Sequence, residues 1–303
     1  MNLDDIRRFY AEEIRAVSNI QSSAIVSALA KVPREHFLGP GPWQIVNADA
    51  WQMMPANTGL GGGGSYRTTD DANPKHLYHN VLVAIDASRK LNNGLPSAVA
   101  WWIDCLGLRQ GDRVLHVGSG VGYYTAIMAE VVGPNGHVLG VEIDADLAAR
   151  AQKNLAYLDH AEVVQANGVE YDPGPVDAIF VSAGITHPSS VWIDSLRPDG
   201  RLILPLTINQ HETENGMGFL LKVERQGQAF AARFISPVMI YSCMGSRDAE
   251  LNRRLQTAMA RGGAALGAVQ SLRREPHQLD STCWLHGEDF CLSTMPVSVA
   301  SNE

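Results

Sequence analysis

The sequence predicts an α/β chain built on a doubly wound, mostly parallel sheet, with helices before it and an α+β addition after it. Three observations carry that reading. Residues 114–125, VLHVGSGVGYYT, read as a buried strand, a glycine turn and the first turn of a helix. From there to residue 205, short apolar runs alternate with helix-length stretches, the pattern of repeated strand–helix–strand units. The chain has 303 residues, 45% of them apolar, enough for one large core with additions. The expected divisions are residues 1–75, helices and a glycine-rich loop; 76–245, the sheet-forming core; and 246–303, the addition.

In chain order, residues 4–18 place Ile6, Phe9, Tyr10, Ile14 and Val17 at helical spacing. A second helix over 23–31 stops before Pro33, because a proline pushes the preceding residue out of the helical region. Residues 39–71 are dominated by glycine, proline and polar side chains. The run Gly61, Gly62, Gly63 and Gly64 holds no regular structure cheaply and reads either as a lid or as a passive loop. Residues 77–85 are apolar and compatible with a strand. A helix opens near Pro96, a residue suited to a first helical turn, with Val99, Trp102, Ile103 and Leu106 as its buried stripe.

After the glycine turn come a strand ending at Glu142, a helix over 145–158, and strands over 162–165 and 178–181. A Pro198-Asp199-Gly200 turn leads into a strand over 201–205, and two more strands follow over 219–224 and 229–240. The addition reads as a helix over 249–261 ended by Gly262 and Gly263, then two strands within 272–294. His286, Gly287, Glu288 and Asp289 form the turn between them, and residues 296–303 are a frayed tail.

The turn carries the chemistry. Gly118, Gly120 and Gly122 stand at alternate positions. Such a turn needs residues without a Cβ, to reach positive φ or to let a ligand lie against the backbone. The helix behind it points free N–H groups and a partial positive charge into the turn. Twenty residues after Gly122 stands Glu142. A carboxylate there can accept hydrogen bonds from both hydroxyls of a ribose, a group shared by nicotinamide dinucleotides and S-adenosylmethionine. The G-x-G-x-G spacing differs from the G-x-G-x-x-G of dinucleotide folds.

Residues 114–144, VLHVGSGVGYYTAIMAEVVGPNGHVLGVEID, resemble the first motif and ribose-acid strand of class I S-adenosylmethionine-dependent methyltransferases. More closely, they resemble the protein-L-isoaspartate O-methyltransferase family. SALAKVPREHFLGP at 27–40, VVQANGVE at 163–170 and DAIFVSAGITHPSSVWIDSLRPDGRLILPL at 177–206 agree with it. The resemblance covers roughly residues 20–245. It implies a Rossmann-like sheet with an antiparallel edge, S-adenosylmethionine as cofactor, and O-methylation of a carboxylate on an isoaspartyl or aspartyl residue. In that reading Gly118, Ser119, Gly120 and Gly122 form the floor under the cofactor, and Glu142 binds its ribose. Asn167 and Gly168 lie at the adenine, where the family has an acid before the glycine, and Ser182 follows the fourth strand.

One segment departs from the family. A threonine-isoleucine-serine loop stands there before a glutamine-proline pair; aligning the prolines puts Asn92, Asn93 and Gly94 in its place. Asn92 and Asn93 either donate to an acceptor carboxylate or form a plain Asn-Gly turn. His187 reads as a base for a hydroxyl, amine or imide acceptor, or as a helix cap or surface residue. A carboxylate acceptor, already ionised at pH 7, needs no such base. Tyr78, His79 and Asp86 are candidate wall residues, while Trp101 and Trp102 belong to the core.

Other readings stay open: a methyltransferase acting on a dedicated peptide or small-molecule acceptor, a non-catalytic S-adenosylmethionine-binding protein, and a dehydrogenase. The net charge of −8 argues against a nucleic-acid partner. No run approaches the ~20 apolar residues of a membrane span. The charged start, MNLDDIRRFYAEE, lacks a signal-type apolar segment, so a cytoplasmic location is expected. Cys105, Cys243, Cys283 and Cys291 include no C-x-x-C pair, so no metal site is expected and the thiols read as inert.

Overall fold

The computed structural model describes residues 2–46, 66–209 and 215–297. The tetraglycine run and its lid reading lie outside these residues. The chain runs α1 (Leu3–Ser18), α2 (Ser23–Lys31), α3 (Arg34–Leu38), β1 (Gln44–Val46), β2 (Tyr66–Thr68), β3 (Ala84–Asp86), β4 (Leu91–Asn92) and α4 (Pro96–Leu106). The central units are β5 (Arg113–Val117), α5 (Tyr123–Val132), β6 (His137–Glu142), α6 (Ala145–Leu155), β7 (Ala161–Gln165), β8 (Val176–Val181), α7 (Ser190–Ser195) and β9 (Leu196–Ile208). Then come β10 (Asn215–Gln226), β11 (Ala229–Tyr241), α8 (Ala249–Met259), α9 (Gly263–Gly267), β12 (Ser271–Arg273), β13 (Cys283–His286) and β14 (Cys291–Ser293).

Helix ends follow local chemistry. The Asn2 side chain accepts from the Asp5 N–H to start α1, and Asn19 closes it in the left-handed region. Pro96 stands in the first turn of α4, and Gly107 ends that helix at φ 67°. The Asp144 side chain accepts from the N–H groups of Asp146 and Leu147 to open α6.

Ten strands form one sheet in the order β13-β14-β12-β11-β10-β9-β8-β5-β6-β7. The strands from β9 through β7 in that order pair in parallel. From β9 outward to β13 every pairing is antiparallel. The antiparallel part is wider than the sequence suggests. The strands of the addition pair onto β11 and continue the sheet, covering an edge that would otherwise present unpaired N–H and C=O groups.

Strand alternation divides the core between the two faces. Val114, Ala178, Phe180 and Ile203 pack with α1, α2, α4, α5 and α6. Leu115, Ile179, Val181, Leu202 and Leu204 pack with α7, α8, α9 and the aromatic residues Trp284 and Phe290 of the addition. Trp102 is buried, as expected of a core residue.

Helix α1 forms where the spacing placed it, buried through Tyr10, Ala11 and Ile14, while Phe9 and Val17 are 69% and 61% exposed. Several expectations need correction. Within 77–85, only the last residues pair as a strand, and a 3₁₀ turn, Pro74–Leu77, precedes them. Strand β9 begins earlier than residue 201, with Asp199 at φ 62° absorbing the predicted turn. Among its described residues the addition holds three strands rather than two. Tyr78 and Asp86 are not free wall residues. The buried Tyr78 hydroxyl bonds Glu35 and accepts from Arg7, while Asp86 accepts from the N–H and hydroxyl of Ser88 inside its own turn. The fully buried Arg34, in the valine-proline-arginine stretch, donates to the carbonyls of Leu77 at 2.7 Å and Val81 at 2.9 Å. Through it, the N-terminal helices hold the segment that leads into β3.

Candidate active site

The chain moves outward from β5 to β7, then returns to β8 on the other side of β5. Loops leaving the C-terminal ends of β5 and β8 therefore diverge, and a crevice opens between them, the usual binding position in such sheets. Gly118, Gly120 and Gly122 take φ values of 75°, 56° and 90° in the first of these loops. The N–H groups of Gly118 and Ser119 both donate to the Val141 carbonyl, at 2.8 and 3.3 Å, locking the turn onto β6. A Cβ on Gly120 would meet only Ile85, at 3.8 Å, so the floor is open there. Gly122 serves packing instead. A Cβ there would lie 3.1 Å from Leu155, so its bareness lets α5 pack on α6. The Ser119 hydroxyl is buried with no partner among the described residues.

Glu142 ends β6 beside this turn and is 7% exposed. Its carboxylate accepts the Gly120 N–H at 2.8 Å and the Asp144 N–H at 3.1 Å. Burial raises its pKa above the ordinary carboxyl value, a shift that those N–H groups oppose and the Asp144 charge assists. A carboxylate has about four lone-pair positions, so acceptor capacity remains for a ligand's hydroxyls. Asp144 also pairs with Arg89 at 2.6 Å, which ties the β3–β4 hairpin to the start of α6, and Ile85 of that hairpin faces Gly120.

Asn167 and Gly168 follow β7. The Asn167 side-chain oxygen accepts the Val169 N–H at 3.2 Å, a local turn bond. Its amide nitrogen would lie 3.3 Å from a Cβ on Gly245, so the segment after β11 closes against it. At Gly168 a Cβ would sit 2.6 Å from a Val117 methyl, and its carbonyl accepts from the Trp192 indole at 2.8 Å. That glycine serves close packing. Ser182, after β8, bonds through its hydroxyl to His116 Nε2 at 2.9 Å, and His116 Nδ1 meets the Thr125 hydroxyl at 2.8 Å. Burial pushes the His116 pKa down to about 3, so this buried chain is neutral.

On the acceptor side, Asn92 lies in β4, where its oxygen accepts from the Tyr66 hydroxyl at 2.9 Å and its amide donates to the Lys90 carbonyl at 3.1 Å. Asn93 is buried, and its amide nitrogen has no partner among the described residues. The next residue, Gly94 (φ 68°), packs on Tyr124, at the start of the helix behind the glycine turn. His187 points elsewhere. It bonds the Thr186 hydroxyl at 2.9 Å and stacks on Phe290 of the addition, ring centroids 6.2 Å apart. Burial lowers its pKa, against the pull of Asp248 and Asp289. The described contacts do not bring it to Glu142 or to the Asn92–Asn93 segment.

Sequence reasoning missed three participants. His116 was hidden inside an apolar strand, and Gly245 lies far along the chain. Cys243 stands near enough for the Glu142 charge to add to the burial that pushes its thiol up. Without any C-x-x-C pair, the structure nonetheless brings His277, Cys283, His286 and Cys291 together, because a strand irregularity places residues that linear spacing separates.

An open glycine floor and a Glu142 carboxylate with acceptor capacity to spare fit S-adenosylmethionine. Fold and site thus define a class I methyltransferase. The family model described as Protein-L-isoaspartate(D-aspartate) O-methyltransferase (PCMT) matches residues 68–235. Protein-L-isoaspartate O-methyltransferase 2 of Archaeoglobus fulgidus is 32% identical over 211 residues, 68% of this chain and 80% of the relative. A solved protein-L-isoaspartate O-methyltransferase shares the fold with a TM-score of 0.60 at 21% identity, over 84% of this chain and 69% of its own. A candidate protein-L-isoaspartate O-methyltransferase from Plasmodium falciparum, solved with S-adenosyl-L-homocysteine, gives 0.56 at 18% identity, over 78% and 97%. The chain belongs to the protein-L-isoaspartate O-methyltransferase family.

Proposed function

We propose that this chain methylates the carboxylate of an isoaspartyl residue in a protein or peptide, with S-adenosylmethionine as donor. Asn93 carries the acceptor half of the reading. It holds a buried amide donor without a partner among the described residues, one residue from a glycine packed on the helix behind the cofactor turn. A buried donor left unbonded is costly, and an acceptor carboxylate is a group that would satisfy it.

When bound, S-adenosylmethionine supplies an electrophilic methyl carbon on a sulfonium sulfur. In the proposal, Gly118, Ser119 and Gly120 bed the cofactor, Gly122 lets α5 pack on α6 behind them, and Glu142 takes the two ribose hydroxyls. Asn167, Gly168 and Ser182 shape the far wall, Ser182 held by His116. Asn93 steadies the acceptor oxygen in line with the methyl carbon, which is most of what the reaction needs from the protein. The acceptor is already anionic, so no residue removes a proton. In an isoaspartyl product, the neighbouring amide nitrogen can attack the methyl ester carbonyl, expel methanol and close a succinimide.

Among the described residues no helix is long and apolar enough to cross a membrane. The test is transfer of labelled methyl to paired peptides, one with isoaspartate and one with aspartate. Label on the isoaspartyl peptide alone is expected. Label on neither, with cofactor binding intact, removes the isoaspartyl assignment and points to a dedicated acceptor.

A further inference from the structure

We infer that the C-terminal addition holds a structural zinc ion, bound by His277, Cys283, His286 and Cys291. The ligand atoms of these four side chains lie within 4.8 Å of one another. Two thiolates and two imidazoles are a donor set for a tetrahedral zinc site closed to outside ligands. Such a site has N–S edges of about 3.5 Å, and Cys283 Sγ already stands 3.5 Å from His277 Nε2.

The backbone is shaped to converge these groups. His286 and Cys291 are direct partners across the β13–β14 pair and so share a face. Cys283 and His286 are three residues apart and would face opposite sides in a regular strand. A bulge between Cys283 and Leu285 inserts Trp284 as an extra residue and returns Cys283 to the His286 face. His277 reaches in from the loop between β12 and β13.

Two observations point to a ligand rather than to idle packing. His277 Nδ1 meets the Glu275 carbonyl at 2.8 Å, and a carbonyl only accepts. The proton therefore sits on Nδ1, and Nε2 presents its lone pair to the cluster, the outer-shell arrangement that orients metal-bound histidines. His286 Nδ1 is buried with no hydrogen-bond partner among the described residues. The Asp280 N–H also points at Cys283 Sγ, 3.5 Å away.

Two thiolates neutralise the dication, so the ion adds no net charge to a part-buried hairpin. It would join the loop before β13 to both strands of the hairpin, at the far edge of the sheet. Phe290, which stacks on His187, immediately precedes Cys291, so the same ion would also steady that contact.

Elemental analysis of the full chain, purified with reductant and without chelator, tests this. About one zinc per chain is expected. The double variant Cys283→Ser/Cys291→Ser should lose it, while Cys105→Ser keeps it. Because the double substitution can unfold the hairpin, His277→Gln in the preceding loop is the second probe. It should weaken zinc retention against a chromogenic chelator at least about tenfold, with cofactor binding unchanged. Cobalt exchanged into the wild-type chain should give the absorption of tetrahedral thiolate-bound cobalt. No stoichiometric metal after anaerobic zinc loading, iron in place of zinc, or a Cys283–Cys291 disulfide in the reduced preparation would overturn the inference.

Discussion

The two ends of the sheet aim polar groups by opposite means. At the parallel end, left-handed glycines turn the chain sharply after β5, and the acid that completes the site sits on the adjacent strand. At the antiparallel end, a bulge rotates one strand so that residues from a loop and two short strands meet. The first device is compact in sequence and leaves an open floor for a ligand. The second is dispersed and closes on itself. A fold can thus carry an exchangeable cofactor at one end and a fixed ion at the other, with Phe290 on His187 as a contact between the addition and the loop after β8.

The comparison can be broken first at the parallel end. Arg201 on β9 is 6% exposed and donates to Asp112 at 2.5 Å and to the Gly107 carbonyl at 2.9 Å. Arg201→Met leaves a buried carboxylate without its partner and the end of α4 untied. Denaturant unfolding should show a loss of about 3–5 kcal/mol. Glu142→Gln places an amide donor against backbone N–H groups and removes charge from the ribose contacts. Calorimetric titration should show S-adenosylmethionine binding weakened by about 1.5–3 kcal/mol. A variant that binds normally would detach Glu142 from the cofactor.

The pH behaviour of two buried groups sharpens the picture. The raised pKa of Glu142 means that cofactor affinity should fall as pH drops from neutral through that pKa, since only the ionised form accepts both hydroxyls. His116 is depressed from 6.5 to about 3. Between those values the unfolded chain binds a proton that the native chain refuses, so stability falls as pH falls, by about 1.4 kcal/mol per unit at most. His116→Gln should flatten this part of the stability profile by one proton.

What was legible in the sequence follows the same division. The glycine turn, Glu142 and the helix opened by Pro96 were readable because their chemistry is local: a missing Cβ, a strand end, a fixed φ. Asn93 was readable only as a departure, and its orphaned amide needed the packing around it. His116 was not legible, since one polar residue in an apolar strand shows its role only when Thr125 and Ser182 are placed on either side. His187 looked functional from its position after β8, but its partners came from the addition, which no local pattern connects to that loop. The cysteine–histidine cluster escaped because its spacing works only with a bulge.

The most direct test of the account is the kinetic split of Asn93→Ala. The side chain is assigned to the acceptor and not to the cofactor. KM for an isoaspartyl peptide should rise about tenfold, the worth of one hydrogen bond to a charged group, with S-adenosylmethionine affinity unchanged. An unchanged peptide KM with weakened cofactor binding would contradict the division of the site proposed here.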